Sequence, residues 1–218
     1  MTATESFAEQ LKKATWSDHE DAEHTAFLEA LMGGRVSREG YAEMVAQHYF
    51  AYVALEEAGR ALADDPVAGP FVSPELERLP ALEADLEELY GKDWRDKITP
   101  SKPTLTYVAR INQIADWPGG FIAHHYTRYL GDLSGGQVIR KVAERTYQFG
   151  AAAGVRFYLF PGIPDLKAFK VDYRDRLNAL NPDEVEARRI IGETVLAYQL
   201  NTEVIVEIGK RLPEYLVA

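Results

Sequence analysis

The chain has 218 residues, 46% of them hydrophobic, a formal net charge of −10 and no cysteine. That composition suits one globular domain with a sizeable core, spanning residues 1–218, and sets aside an intrinsically disordered chain. The acidic balance argues against a nucleic-acid binder, which needs a basic face. The missing thiol removes disulfides, thiolate metal sites and cysteine nucleophiles.

The opening MTATESFAEQLKKAT holds no apolar core of signal-peptide length. No run, the tail KRLPEYLVA included, approaches the roughly 20 apolar residues that cross a bilayer. The expected setting is cytoplasmic, with no membrane attachment.

Apolar residues recur at three- and four-residue spacing over 5–31, 38–63, 74–90, 103–116, 119–147, 165–180 and 183–211, which predicts helices nearly throughout. Gly33-Gly34, Trp117-Pro118-Gly119-Gly120 and Pro161-Gly162 separate the segments. Ser73-Pro74 and Asn181-Pro182 each read as an N-cap followed by proline at the first helical position, and Glu184 would complete a capping box with Asn181. RFYLF, Arg156 to Phe160, is an isolated strand candidate that reads better as a connection packed on the core. No repeat, low-complexity tract or domain-scale linker interrupts the pattern, so the expectation is a single all-α domain.

Within the first segment, a helical wheel centred on Leu11 places Phe7, Ala14, Thr15, Asp18 and Ala22 on the inward stripe. His19 falls at the edge of that stripe, in one column with Lys12 and Glu23, while His24 lies on the outer face. A histidine with a carboxylate four residues on can donate one ring N–H to it and offer the other nitrogen to a metal. An ordinary surface His–Glu pair has the same spacing. A di-iron bundle would need glutamate three residues before inward histidines, and none of His19, His24, His48, His124 or His125 has one. A zinc hydrolase would need several clustered ligands. A single inward histidine with open space opposite is what a haem iron takes.

The stretch LGDLSGGQVIRK, Leu130 to Lys141, sets three glycines within six positions of a helical pattern, at about 1 kcal/mol each relative to alanine. On one continuous helix from Phe121, residues His125, Arg128, Asp132, Gly135, Gly136 and Ile139 share a face, with Gly131 at its edge. Removing Cβ atoms lets another body approach the backbone. The Gly131–Gly135 spacing admits a second helix as readily as a flat ligand, but Asp132 beside it suits a ligand better, because the carboxylate can orient water. Further on, Lys167, Lys170 and Arg174 form a cationic row that could hold carboxylates or simply face solvent.

Five pieces, TWSDHEDAEH (Thr15–His24), YFAYVALEE (Tyr49–Glu57), HHYTRYLGDLSGGQ (His124–Gln137), FKVDYRDRLNAL (Phe169–Leu180) and AYQLN (Ala197–Asn201), stand in an order and separation that resemble the heme oxygenase family over nearly the whole chain. The resemblance implies haem b sandwiched between a proximal and a distal helix, as both cofactor and substrate. His19 would be the axial iron ligand, with Glu23 holding its second nitrogen. Gly131 and Gly135 would let the distal helix lie against the haem, with Gly136 relieving crowding beside them. Asp132 would anchor distal water, joined by Arg128 and Tyr52, and Lys12, Tyr126, Lys170 and Arg174 would hold or steer the propionates.

The reaction so implied consumes O2 and opens the ring at a meso carbon, the α position given Lys170 and Arg174, releasing biliverdin, carbon monoxide and ferrous iron. Electrons would come from an external donor, either ferredoxin with its reductase or an NADPH-dependent flavoprotein reductase, since no flavin or nicotinamide site is evident in this chain. A monomer is expected. Tyr198 departs from the phenylalanine of many members, and the membrane tail of animal forms is missing. A haem carrier without turnover would use the same His19 and dispense with Asp132. A related helical fold that hydrolyses thiamin compounds relies on a cysteine nucleophile, against which the absent cysteine counts.

Overall fold

In the computed structural model, which describes residues 5–150 and 153–217, two long helices form the frame, α4 (Arg38–Ala61) and α11 (Glu184–Gly209). Between and around them lie α1 (Phe7–Ala14), α2 (Trp16–Glu23), α3 (Ala26–Met32), α5 (Leu79–Tyr90), α6 (Trp94–Lys97), α7 (Lys102–Gln113), α8 (Pro118–His125), α9 (Gly135–Tyr147), α10 (Leu166–Ala179) and α12 (Leu212–Tyr215). Helix α4 packs on α5, α7 and α8, while α11 packs on α8, α7 and α2. Tyr41, Tyr52, Phe27, Phe121 and Phe157 are fully buried where these layers meet. The all-α expectation holds. Among the described residues the only β pairing is one isolated bridge, Val36 to Leu216.

RFYLF is a 3-10 turn over Arg156–Tyr158 followed by extended chain, with Phe157 and Tyr158 buried. The Asp85 carboxylate fixes it, accepting from the N–H groups of Arg156 and Phe157 at 3.0 and 2.8 Å.

Three expected helix limits need correction. The first segment is three helices rather than one. At the first joint the Thr15 hydroxyl donates back to the Leu11 carbonyl at 2.9 Å, a competing bond of the kind that bends helices. Asn181 does not cap α11. It adopts φ 41°, a left-handed conformation asparagine tolerates, and closes α10. Asp183 takes the capping role, accepting from Val185 and Glu186 N–H at 3.0 and 2.8 Å. Ser73-Pro74 opens only a 3-10 turn, Pro74–Leu76, and the Ser73 side chain makes no capping bond.

Helix α5 instead starts at Leu79, where its cap comes from another helix. The Glu56 carboxylate of α4 accepts from the backbone N–H of Arg78 and, at 3.1 Å, of Leu79. Burial raises the Glu56 pKa, and these two bonds oppose that rise. Glu56→Ala would leave one buried and one part-buried donor unpaired, and we expect a loss of about 2 kcal/mol in urea unfolding. Glu56→Gln, which keeps one acceptor, should lose less. An Ala variant as stable as the parent would show that water replaces the carboxylate.

Candidate functional site

The glycine-rich stretch is not one regular helix. Helix α8 passes into a π turn at Tyr126–Leu130, continues through Gly131 and Asp132, and breaks at Leu133-Ser134 before α9 begins. The Thr127 hydroxyl donates to the Ala123 carbonyl at 3.0 Å within this distortion. A π turn bonds i to i+5 and so advances less per residue around the axis. His125, which a uniform wheel puts on the Asp132 face, is therefore turned into the core. Its Nδ1 lies 2.8 Å from the Tyr173 hydroxyl and its ring stacks on Tyr173 at 5.7 Å and 9°. Burial takes its pKa down to about 3, so it stays neutral.

Two side chains serve the carbonyls freed at the break. Gln137 Nε2 donates to the Asp132 carbonyl at 3.0 Å and the Tyr158 carbonyl at 2.9 Å. Lys170 Nζ donates to the Leu133 carbonyl at 3.1 Å and to Ser134 Oγ at 3.1 Å.

Between this stretch and α2 lies a cleft of about 140 Å³ lined by His19, Glu23, Arg128, Gly131, Asp132, Gly135 and Gly136. A Cβ built on Gly131 or Gly135 would meet nothing within 4 Å. These glycines consequently face open space and do not serve helix packing. Gly136 differs, because its Cβ would fall 3.0 Å from the Tyr158 ring, so its bare backbone seats Tyr158.

The charges of the site are tied to the frame. Tyr52 of α4 donates its hydroxyl to Asp132 Oδ2. The Arg128 guanidinium lies 4.9 Å over the Tyr52 ring and donates Nη1 to Asn201 of α11, while its Nε and Nη2 are buried without partners. Burial raises the Asp132 pKa to about 6, against the pull of Arg128 and the Tyr52 bond. On the facing wall, His19 Nδ1 is buried without a partner and its Nε2 lies 3.8 Å from the Glu23 carboxylate. That separation is too long for a hydrogen bond. Trp16 stacks on the imidazole at 5.9 Å and 5°.

Seven of the twelve residues singled out in the sequence therefore meet in one cleft, and Tyr52 supports Asp132 from behind. The other four do not line it. Lys12 is exposed, with its Nζ 5.6 Å over the Trp16 ring, Tyr126 is buried, Arg174 donates to the Lys170 carbonyl at 3.1 Å, and Lys170 sits at the helix break. Among the lining residues to which sequence reasoning gave no role in the site are His48, Tyr158 and Asn201. For His48 a signal was available, since it stands four residues before Tyr52 on the same helical face.

A heme oxygenase family model matches residues 5–207. A heme oxygenase of Rhodella violacea is 36% identical, covering 92% of this chain and 86% of that one. Heme oxygenase 1 of Gallus gallus is 41% identical, covering 92% and 69%. The crystal structure of heme oxygenase-1 from the cyanobacterium Synechocystis in complex with heme superimposes with a TM-score of 0.91 at 37% identity, covering 96% of this chain and 95% of that one.

The raised Asp132 pKa has a measurable consequence. The folded state holds this proton more tightly than the unfolded one, so the stability Asp132 contributes is full below about pH 4 and is lost as pH rises through about 6. Asp132→Asn, which cannot titrate, should gain on the parent chain by up to about 3 kcal/mol between these limits. Urea unfolding at several pH values across that window tests this, and a constant gap between the two proteins would contradict it.

Proposed function

This chain belongs to the heme oxygenase family, and we propose that its cleft binds haem b and that the chain degrades the haem with dioxygen. The observation that carries the reading is the bare backbone at Gly131 and Gly135, open to space, in one cleft with His19, whose buried Nδ1 has no partner. Such a nitrogen is destabilising by about 1–3 kcal/mol when left unpaired, and a metal ion or its hydrogen-bonded counterpart would satisfy it. Haem, when bound, supplies the iron that takes up dioxygen and the macrocycle that is oxidised.

The protein's part is to bind, orient and move protons. His19 would hold the iron, with Glu23 close enough to orient the imidazole; a half-turn of the ring exchanges which nitrogen faces the carboxylate. Gly131 and Gly135 give room for a flat ring. Asp132 has Oδ2 engaged by Tyr52, which leaves Oδ1 to hold water. A carboxyl with a pKa of about 6 can both give and take a proton near neutrality. Arg128, restrained by Asn201, balances the charge when Asp132 ionises. Lys12, Tyr126, Lys170 and Arg174, which stand outside the cleft lining, would hold or steer the propionates, and this steering would favour the α-meso carbon. The products are biliverdin, carbon monoxide and ferrous iron.

Electrons reach the site from ferredoxin with its reductase or from an NADPH-dependent flavoprotein reductase. The chain acts as one domain, a cytoplasmic monomer. No helix among the described residues is long and apolar enough to cross a membrane.

Hemin incubated with the protein and a reductant under air should lose its Soret band as biliverdin absorption grows. Asp132→Ala should keep hemin bound and lose bilin formation by about 100-fold. A Soret band that persists in the parent protein, with no bilin formed, would leave a carrier and remove the enzyme. Separately, Lys170→Ala combined with Arg174→Ala should shift the biliverdin isomer distribution, read by chromatography, because it frees rotation in the ring plane. An unchanged distribution would remove the steering role.

A further inference from the structure

His48 is absorbed neither by the fold nor by the chemistry above. It projects from α4 and lines the cleft together with Arg128 and Asp132. Only 9% of the residue is exposed. Its ring packs 5.6 Å from Phe157, and among the described residues neither of its nitrogens has a hydrogen-bond partner in the protein.

The surroundings fix its chemical state. Burial holds the His48 pKa well below the ordinary histidine value, and the Arg128 charge pushes it further the same way. The imidazole is neutral, with one N–H and one lone pair. In the same cleft Arg128 presents two buried donors, Nε and Nη2, that no acceptor meets. Arg128, with its unpaired donors, and the His48 imidazole thus both belong to the lining of one space. That space, about 140 Å³, exceeds the roughly 30 Å³ share of one water molecule, and a polar pocket of this kind holds ordered water.

A histidine present only to fill space would be replaceable by leucine, since Met44 and Leu28 form the wall beside it. A histidine serving Arg128 would not.

We propose that His48 is a positioning residue whose imidazole accepts a hydrogen bond from water donated to in turn by Arg128, extending the Tyr52–Asp132 proton network onto the α4 wall. The water bridge stands on the geometry alone. Its service in proton delivery rests on the haem-degrading reading. Anchored at one end by Asn201 and at the other through water by His48, the guanidinium keeps a fixed position beside Asp132. Because His48 is neutral and weakly basic there, it passes hydrogen bonds along without trapping a proton.

The experiment uses the full chain in two states. In the ¹⁵N-labelled protein without hemin, His48→Leu should speed hydrogen exchange at Arg128 Nε–H by about tenfold, the effect of losing one hydrogen bond. His48→Gln, which restores an acceptor, should recover most of that protection and guards against a merely misfolded Leu variant. With hemin and reductant under air, the Leu variant should form bilin about tenfold more slowly at unchanged hemin affinity, with Gln again recovering. Exchange at Arg128 unchanged in the Leu variant would overturn the bridge, whatever the turnover. Exchange altered as expected, in a parent protein that forms no bilin, would uphold the bridge and overturn both the proposed function and the proton-delivery role.

Discussion

A helix stripped of side chains on one face can persist only if it is held firmly from the other. The site depends on that constraint. Gly131 forfeits about 1 kcal/mol of helix propensity, Gly135 and Gly136 open α9, and Gly131 and Gly135 gain no packing in return. The opposing side compensates. Every residue from Phe121 to Leu130 is buried, and burying large apolar side chains such as Phe121, Tyr129 and Leu130 contributes about 1.5–3 kcal/mol each. The freed carbonyls at the break find donors in Gln137 and Lys170. Anchorage exceeds the propensity loss, so the bare face stays open without collapsing.

The same anchorage sets the charges. Tyr52 belongs to α4, Arg128 to the π turn and Asn201 to α11, so the hydrogen bonds around Asp132 tie three elements together. A second buried cluster lies behind them. Glu193 of α11 accepts from Arg110 Nε of α7 at 2.9 Å and pairs with His124 of α8 at 2.9 Å. Burial alone would raise the Glu193 pKa, but His124 and Arg110 hold it down at about 2. Breaking one partner of such a cluster strands a buried charge, which makes the relative placement of α7, α8 and α11 hard to change. The acid chemistry proposed for Asp132 is consequently built on a rigid wall.

Much of this was legible in the sequence, and what was not has identifiable causes. The 3.6-residue period placed His19 beside Glu23 and gathered Arg128, Asp132 and the glycines correctly. It failed at His125 because it assumed a uniform 100° step, and a π turn is invisible to that assumption. It misassigned the α11 cap because Asn181 and Asp183 are both capping residue types two positions apart; only backbone conformation separates them. Glu56 could not be recognised as the cap of α5, since a carboxylate more than twenty residues away in sequence leaves no local signal. Tyr158 escaped for another reason, and so did His48 despite its four-residue step to Tyr52. Each is a single polar-tipped residue inside an apolar stripe, and its meaning comes from which unpaired groups stand across the cleft.

The two walls of the cleft differ in how firmly they are held, and this bears on how a large flat group enters. The interior, about 140 Å³, is smaller than the ~300–1,000 Å³ of typical ligand pockets. The π-turn wall is buried throughout and cross-tied to α4 and α11. Helix α2 has no buried residue, is jointed at Thr15 and again at His24, and carries Trp16 at 50% exposure. Few apolar contacts and two non-helical joints are the marks of an element with a low opening free energy. Helix α2 carries His19 and Glu23.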